Sequence, residues 1–170
     1  MSDTAFLTGA TGFVGANLAR LLLEKGYKVR ALARKGGNRS NLKGLDVEII
    51  EGDLSSAASL SAGCAGARYA FHVAADYRIW VNDPQPMYEA NVQGTVNVVT
   101  AASEAGCERV VYCSSVAAVR PPQDRIPATE ESQYSGVDEV IGHYKKSKYL
   151  AEQAALHLAA QGAPVVIVKP

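Results

Sequence analysis

Short apolar runs alternate with longer stretches in which apolar residues recur every three or four positions. The runs fall at residues 5–7, 28–32, 47–50, 69–73, 109–113 and 165–168. Their nearly continuous hydrophobicity suits parallel strands covered on both faces. Helical patterns fill the intervals at 12–26, 56–62, 84–105 and 142–161, with Leu18, Leu21 and Leu22 following Val14 at helical spacing. Asp83-Pro84 offers the third helix a cap and a first-turn proline. Gly26, Gly106 and Gly162 stand where a helix wants a left-handed stop. This alternation predicts an α/β fold, a doubly wound parallel sheet of Rossmann type with strand order 3-2-1-4-5-6. Residues 120–138, with Pro121, Pro122 and Pro127 among many polar side chains, read as a surface loop.

Composition narrows the class of partner. The 170 residues suit one domain with a real core, 48% being hydrophobic and 20% charged. Seventeen basic and seventeen acidic residues cancel, which gives no reason to expect nucleic acid or a membrane surface as partner. Cys64, Cys107 and Cys113 lack metal-ligand spacing and read as small buried hydrophobes in a reducing compartment. No metal site is expected. No leader pattern and no run of bilayer length occur, so a cytoplasmic protein is expected.

The first strand runs directly into Thr8-Gly9-Ala10-Thr11-Gly12-Phe13-Val14-Gly15. A glycine-rich turn between a first strand and a first helix cradles a pyrophosphate. Glycine lets the backbone approach closely, and the helix aims free N–H groups at the anion. Where the second strand ends, an acid would hold a free ribose 2′-hydroxyl. This chain has Arg34 and Lys35 there, with Arg39 further on, and cations favour a 2′-phosphate. The expected cofactor is therefore NADP, with NAD the alternative. After the third strand, Asp53 in Gly52-Asp53-Leu54-Ser55 reads either as turn and cap chemistry for the next helix or as an acceptor for the adenine amino group.

Ser114-Ser115 follows the fifth strand, at the carboxyl edge that faces the ligand crevice. Tyr144 and Lys148 are four apart and share a helix face. An ammonium near a phenol favours the phenolate, which makes a tyrosine usable as an acid or base near neutrality. The three features together point to proton transfer beside a nicotinamide.

With these motifs the chain resembles the extended short-chain dehydrogenases/reductases over essentially its whole length. TGATGFVG at 8–15, Gly52-Asp53-Leu54, His72-Val73-Ala74-Ala75, Asn91-Val92-Gln93-Gly94-Thr95, Ser114-Ser115 and the Tyr144/Lys148 pair all fit. Residues 74–80 and 141–148 look most like the dihydroflavonol-4-reductase branch, and within it bacterial hopanoid-associated sugar epimerases. The resemblance implies that Tyr144 exchanges a proton with a substrate oxygen and that Lys148 binds the nicotinamide ribose and tunes Tyr144. It implies that Ser115, rather than Ser114, hydrogen-bonds the reacting oxygen. It sets Gly9, Thr11, Gly12, Phe13, Val14 and Gly15 at the pyrophosphate, Asp53 and Leu54 at the adenine, Ala74 and Ala75 along the cofactor, and Asn91 in a helix that braces the site. Relatives of this kind continue for about as many residues again, with a small substrate domain. Residues 1–170 are thus expected to form the NAD(P)-binding half of a longer enzyme.

The leading expectation is an NADP-dependent oxidoreductase acting on a carbonyl or alcohol carbon of a small molecule. The alternative is a nucleotide-sugar epimerase or dehydratase that keeps its cofactor. A sensor without catalysis has no use for Ser115, Tyr144 and Lys148 together. Tyr77, Arg78, Ile79 and Trp80 either line the substrate site or, through Trp80, cover the sheet edge. His72 and His157 read as structural, and His143 as pointing away from Tyr144. A homodimer through the third helix and the Tyr144 helix is implied by likeness, although their apolar stripes serve the domain's own core equally well.

Overall fold

The computed structural model describes residues 3–122 and 126–170. Parallel strands β1 (Thr4–Thr8), β2 (Lys28–Ala33), β3 (Val47–Glu51), β4 (Tyr69–His72), β5 (Arg109–Cys113) and β6 (Val165–Val168) form one sheet in the order β3-β2-β1-β4-β5-β6. This is the doubly wound order expected from the alternation. The helices are α1 (Phe13–Glu24), α2 (Ala57–Cys64), α3 (Gln85–Tyr88), α4 (Gly94–Glu104) and α5 (His143–Ala160). Gly26, Gly106 and Gly162 follow α1, α4 and α5 with positive φ, as predicted.

The two-residue period of the strands sorts the core into two layers. Ala5, Leu7, Val29 and Ala31 pack with Ala19 and Leu22 of α1. Phe6, Ala70 and Val110 point the other way and meet Leu60 of α2 and Val98 and Val99 of α4. Phe6 is wholly buried, which contributes about 1.5–3 kcal/mol for a side chain of this kind. Tyr112 extends the second layer onto Ala151 and Ala155 of α5. Strand register sets Thr8 beside His72 and His72 beside Tyr112. A polar row therefore crosses three adjacent strands at their carboxyl ends, on the face that α4 and α5 cover.

Several local expectations change. In α1 the buried face is Gly15, Ala16, Ala19 and Leu22, whereas Leu21 is half exposed; small side chains bring this helix close to the sheet. The stretch 84–105 is interrupted, because α3 passes through a π-helical turn (Glu89–Gln93) before α4. The wider turn carries a buried Asn91. Asp83 Oδ1 does accept the Gln85 N–H at 3.0 Å. At α2 the cap is Ser56, whose hydroxyl accepts the Ser59 N–H, so Asp53 caps only its own turn. Trp80 is 77% exposed and does not cover the sheet edge. Cys64 and Cys107 are buried and Cys113 is partly so, all as free thiols. Gln123, Asp124 and Arg125 of the expected surface loop lie outside the described residues. Among the described residues no helix is long and apolar enough to cross a membrane.

Candidate active site

The glycine turn is held between β4 and α1 by contacts that leave no room for side chains. Gly9 has φ +74°, and a Cβ there would lie 2.6 Å from the Ala74 nitrogen. A Cβ on Gly15 would lie 2.1 Å from the Gly9 carbonyl oxygen. The turn closes through the Gly12 N–H, which donates to Gly9 O at 3.0 Å. No side chain caps α1, so its first N–H groups remain for an outside acceptor. Phe13 is 83% exposed and Val14 is half exposed beside them. Thr11 anchors the next loop, its carbonyl accepting Asn41 Nδ2 at 2.8 Å. A bare backbone cradle at a helix start fits a pyrophosphate.

Arg34 and Lys35 are exposed directly after β2, and among the described residues neither side chain has a hydrogen-bond or ion-pair partner. Arg39 differs. Its Nη2 lies 2.6 Å from Glu51 Oε1 and donates also to Arg34 O. The cation set predicted for a phosphate thus divides, with Arg39 committed to the end of β3. Asp53 is exposed, and its Oδ1 accepts the Ser55 hydroxyl and N–H. Those two bonds, the hydroxyl's first, hold its carboxyl below the usual range. Leu54 lies over Gly94, and its carbonyl accepts Asn97 Nδ2 at 2.8 Å. Ala74 and Ala75 follow β4, half buried.

At the end of β5 the two serines part. Ser114 is buried, and its Oγ donates to Glu152 Oε2 at 2.6 Å; the other Glu152 oxygen meets Lys169 Nζ at 2.8 Å. Ser115 is half buried and caps a short 3-10 turn (Val116–Ala118), its Oγ accepting the Ala117 N–H at 3.1 Å. The Ser115 hydroxyl proton has no acceptor among the described residues. Lys148 reaches the same strand end from α5, with Nζ donating to Cys113 O at 2.9 Å and Tyr112 Oη at 3.0 Å. It is 2% exposed, and burial pulls its ammonium down to about 8. Tyr144 lies one helical turn before it, half buried, its carbonyl accepting the Ser147 hydroxyl.

The structure gives Asn91 a definite task. Its Oδ1 accepts the Asp76 N–H at 2.7 Å, and its Nδ2 donates to Asp76 O at 2.8 Å and Ser147 Oγ at 2.9 Å. One buried amide therefore clamps the segment after β4 to α5, next to Lys148. Tyr112 and Glu152, absent from the sequence reading, hold Lys148 and Ser114. Sequence offers only a weak signal for Glu152, an acid four residues after Lys148 on the same face. Asp76 pairs with Arg78, which holds its carboxyl below the usual range. The aromatic segment after it stands in solvent, with Tyr77 and Ile79 exposed like Trp80. His143 Nδ1 lies 3.1 Å from Tyr88 Oη, joining α3 to the start of α5. No cluster of metal-ligating side chains occurs among the described residues.

Comparison with known proteins gives the family and the fold. The profile of the "NAD dependent epimerase/dehydratase family" matches residues 5–170. A Synechocystis protein named "Putative dihydroflavonol 4-reductase" is 49% identical over 170 residues, covering 100% of this chain and 49% of its own length. The crystal structure of gox2253 superposes with a TM-score of 0.92 at 48% identity, covering 100% of this chain and 51% of that one. A short-chain dehydrogenase/reductase superfamily protein from Agrobacterium tumefaciens, solved with bound NAD, gives 0.81 at 25% identity, covering 98% and 48%. The chain spans about half the length of these relatives.

Proposed function

Because the chain belongs to the NAD-dependent epimerase/dehydratase family, within the extended short-chain dehydrogenases/reductases, we propose that it serves an NADP-dependent oxidoreductase acting on a small molecule. The observation that carries this reading is Lys148. Among the described residues it is buried with no carboxylate partner, its Nζ held at the end of β5 between Tyr112 Oη and Cys113 O. Burying an ammonium without a counter-ion costs stability, and such groups are kept where chemistry uses them.

A nicotinamide held here would supply or take the hydride at a carbonyl or alcohol carbon. Tyr144 passes the matching proton to or from the substrate oxygen. Ser115 donates its uncommitted hydroxyl proton to that same oxygen, and Lys148 turns its remaining N–H to the nicotinamide ribose. Gly9, Thr11, Gly12, Phe13, Val14 and Gly15 hold the pyrophosphate, with Ala74 and Ala75 alongside. Asp53 and Leu54 meet the adenine, and Arg34 and Lys35 pair with the 2′-phosphate. The test is steady-state oxidation of NADPH with a panel of small aldehydes and ketones, alongside binding of NADPH and NADH.

The family's epimerase and dehydratase members favour a second reading, in which the same residues act but the hydride returns to the substrate. Cofactor that copurifies, with no net NADPH consumption, selects that reading.

A further inference from the structure

A chain of hydrogen bonds with one permitted direction joins the glycine turn to the π turn. The Asn91 carbonyl can only accept, so Thr95 Oγ1 gives it a proton at 2.6 Å. Thr95 Oγ1 then accepts from His72 Nε2, 3.1 Å away, which must carry the imidazole proton. That leaves His72 Nδ1 as an acceptor, and it takes the Thr8 hydroxyl proton at 2.8 Å. Thr8 Oγ1 in turn accepts the Ala74 N–H at 3.3 Å. Reversing any one of these bonds breaks its neighbour.

The two ends of the chain lie at different parts of the site. Thr8 precedes Gly9, and the Ala74 nitrogen is the atom that walls Gly9 in. Asn91 clamps Asp76 and Ser147, the latter adjoining Lys148 on α5. His72 itself is 1% exposed and cannot reach a ligand. Its ring stacks on Tyr112 at 5.5 Å, and Tyr112 Oη accepts from Lys148.

We propose that His72, fixed as its Nε2–H tautomer, is a positioning residue that locks the glycine turn and the Tyr144–Lys148 helix in one mutual register. This rests on the reading that the turn holds the dinucleotide and the helix carries the proton-transfer groups. The two ring nitrogens do separate work, and two amides imitate them separately. An asparagine amide reaches the position of Nδ1 and keeps the Thr8 link. A glutamine amide reaches the position of Nε2 and keeps the Thr95 link.

The test compares His72→Asn, His72→Gln and His72→Phe with the unaltered protein. His72→Gln is expected to weaken NADPH binding about tenfold and to leave turnover at saturation within about twofold. His72→Asn is expected to do the reverse, sparing NADPH affinity and lowering kcat about tenfold. His72→Phe loses both. Equal effects from the two amides, or full function in His72→Phe, overturn the proposal, since a merely space-filling ring predicts those results. On the unaltered protein, nitrogen-15 spectra of the three histidines must show His72 protonated at Nε2 and bare at Nδ1. A proton on Nδ1 overturns the lock whatever the enzyme does. The expected tautomer in a protein that binds no dinucleotide overturns the functional reading instead.

Discussion

Ser114 Oγ donates to Glu152 Oε2 at 2.6 Å inside the core, tying the end of β5 to α5. Its neighbour Ser115 accepts one backbone N–H and keeps its own proton available. The two serines should therefore separate stability from activity. Ser114→Ala leaves a buried carboxylate short of a donor and is expected to cost about 1–3 kcal/mol in urea denaturation, with kcat little changed. Ser115→Ala is expected to leave stability within about 0.5 kcal/mol and to lower kcat about 100-fold or more.

The cations after β2 divide in the same way. Arg34 is uncommitted, whereas Arg39 bonds Glu51. Arg34→Ala is expected to raise the Kd for NADPH about tenfold, or ~1.4 kcal/mol, without moving that for NADH. Arg39→Ala should leave the NADPH-to-NADH ratio unchanged and cost about 0.2–1 kcal/mol of stability, as a partly exposed ion pair does. Isothermal titration with both dinucleotides checks each variant.

Lys148 makes a prediction about alkaline pH. Its ordinary value is 10.5, and burial brings it to about 8 in the folded chain. Between those values the unfolded chain holds a proton that the folded chain has released, so stability rises with pH across that window. Below about 8 the full penalty is present. The stability of the unaltered protein relative to Lys148→Met should be flat from pH 6 to 7.5 and then climb by about 1.4 kcal/mol per pH unit from about 8 to 10.5. Urea denaturation over that range measures it. A flat difference throughout would mean that the ammonium is not desolvated.

His72 makes a prediction of the same sign in acid. Burial, and then the Lys148 charge, lower it from 6.5 to about 3. The unfolded chain takes up a proton below 6.5 that the folded chain refuses, so stability falls as pH drops from 6.5 towards 3. His72→Phe should flatten that fall between pH 6.5 and 5, a range above the onset of carboxylate protonation. Thermal denaturation at stepped pH gives the comparison.

What the sequence revealed and concealed follows from the range of the forces involved. Inner strands covered on both faces are apolar and helices stop at residues such as Gly26 and Gly162, so local pattern is enough to read the alternation of elements, from which the doubly wound order follows; the edge strands β3 and β6 are only partly buried. That Tyr144 and Lys148 lie one turn apart on α5, and that Ser115 follows β5, is legible because helix and strand ends are set by local pattern. The lock around His72 is not legible, because its partners Thr8 and Thr95 lie 64 and 23 residues away. Only the register of β1 against β4 brings Thr8 beside it. The Arg39–Glu51 pair is hidden for the same reason, since Glu51 meets Arg39 only after β2 and β3 pair. The π turn is hidden because residues 84–105 keep a helical apolar period across it.

In the proposed reaction the Tyr144 phenol moves the proton that accompanies hydride transfer. NADPH oxidation by Tyr144→Phe in the presence of an accepted carbonyl substrate, with NADPH binding measured on the same sample, tests it most directly. In that variant kcat is expected to drop by about 100-fold or more while the Kd for NADPH stays within about twofold. Undiminished turnover in that variant would contradict it.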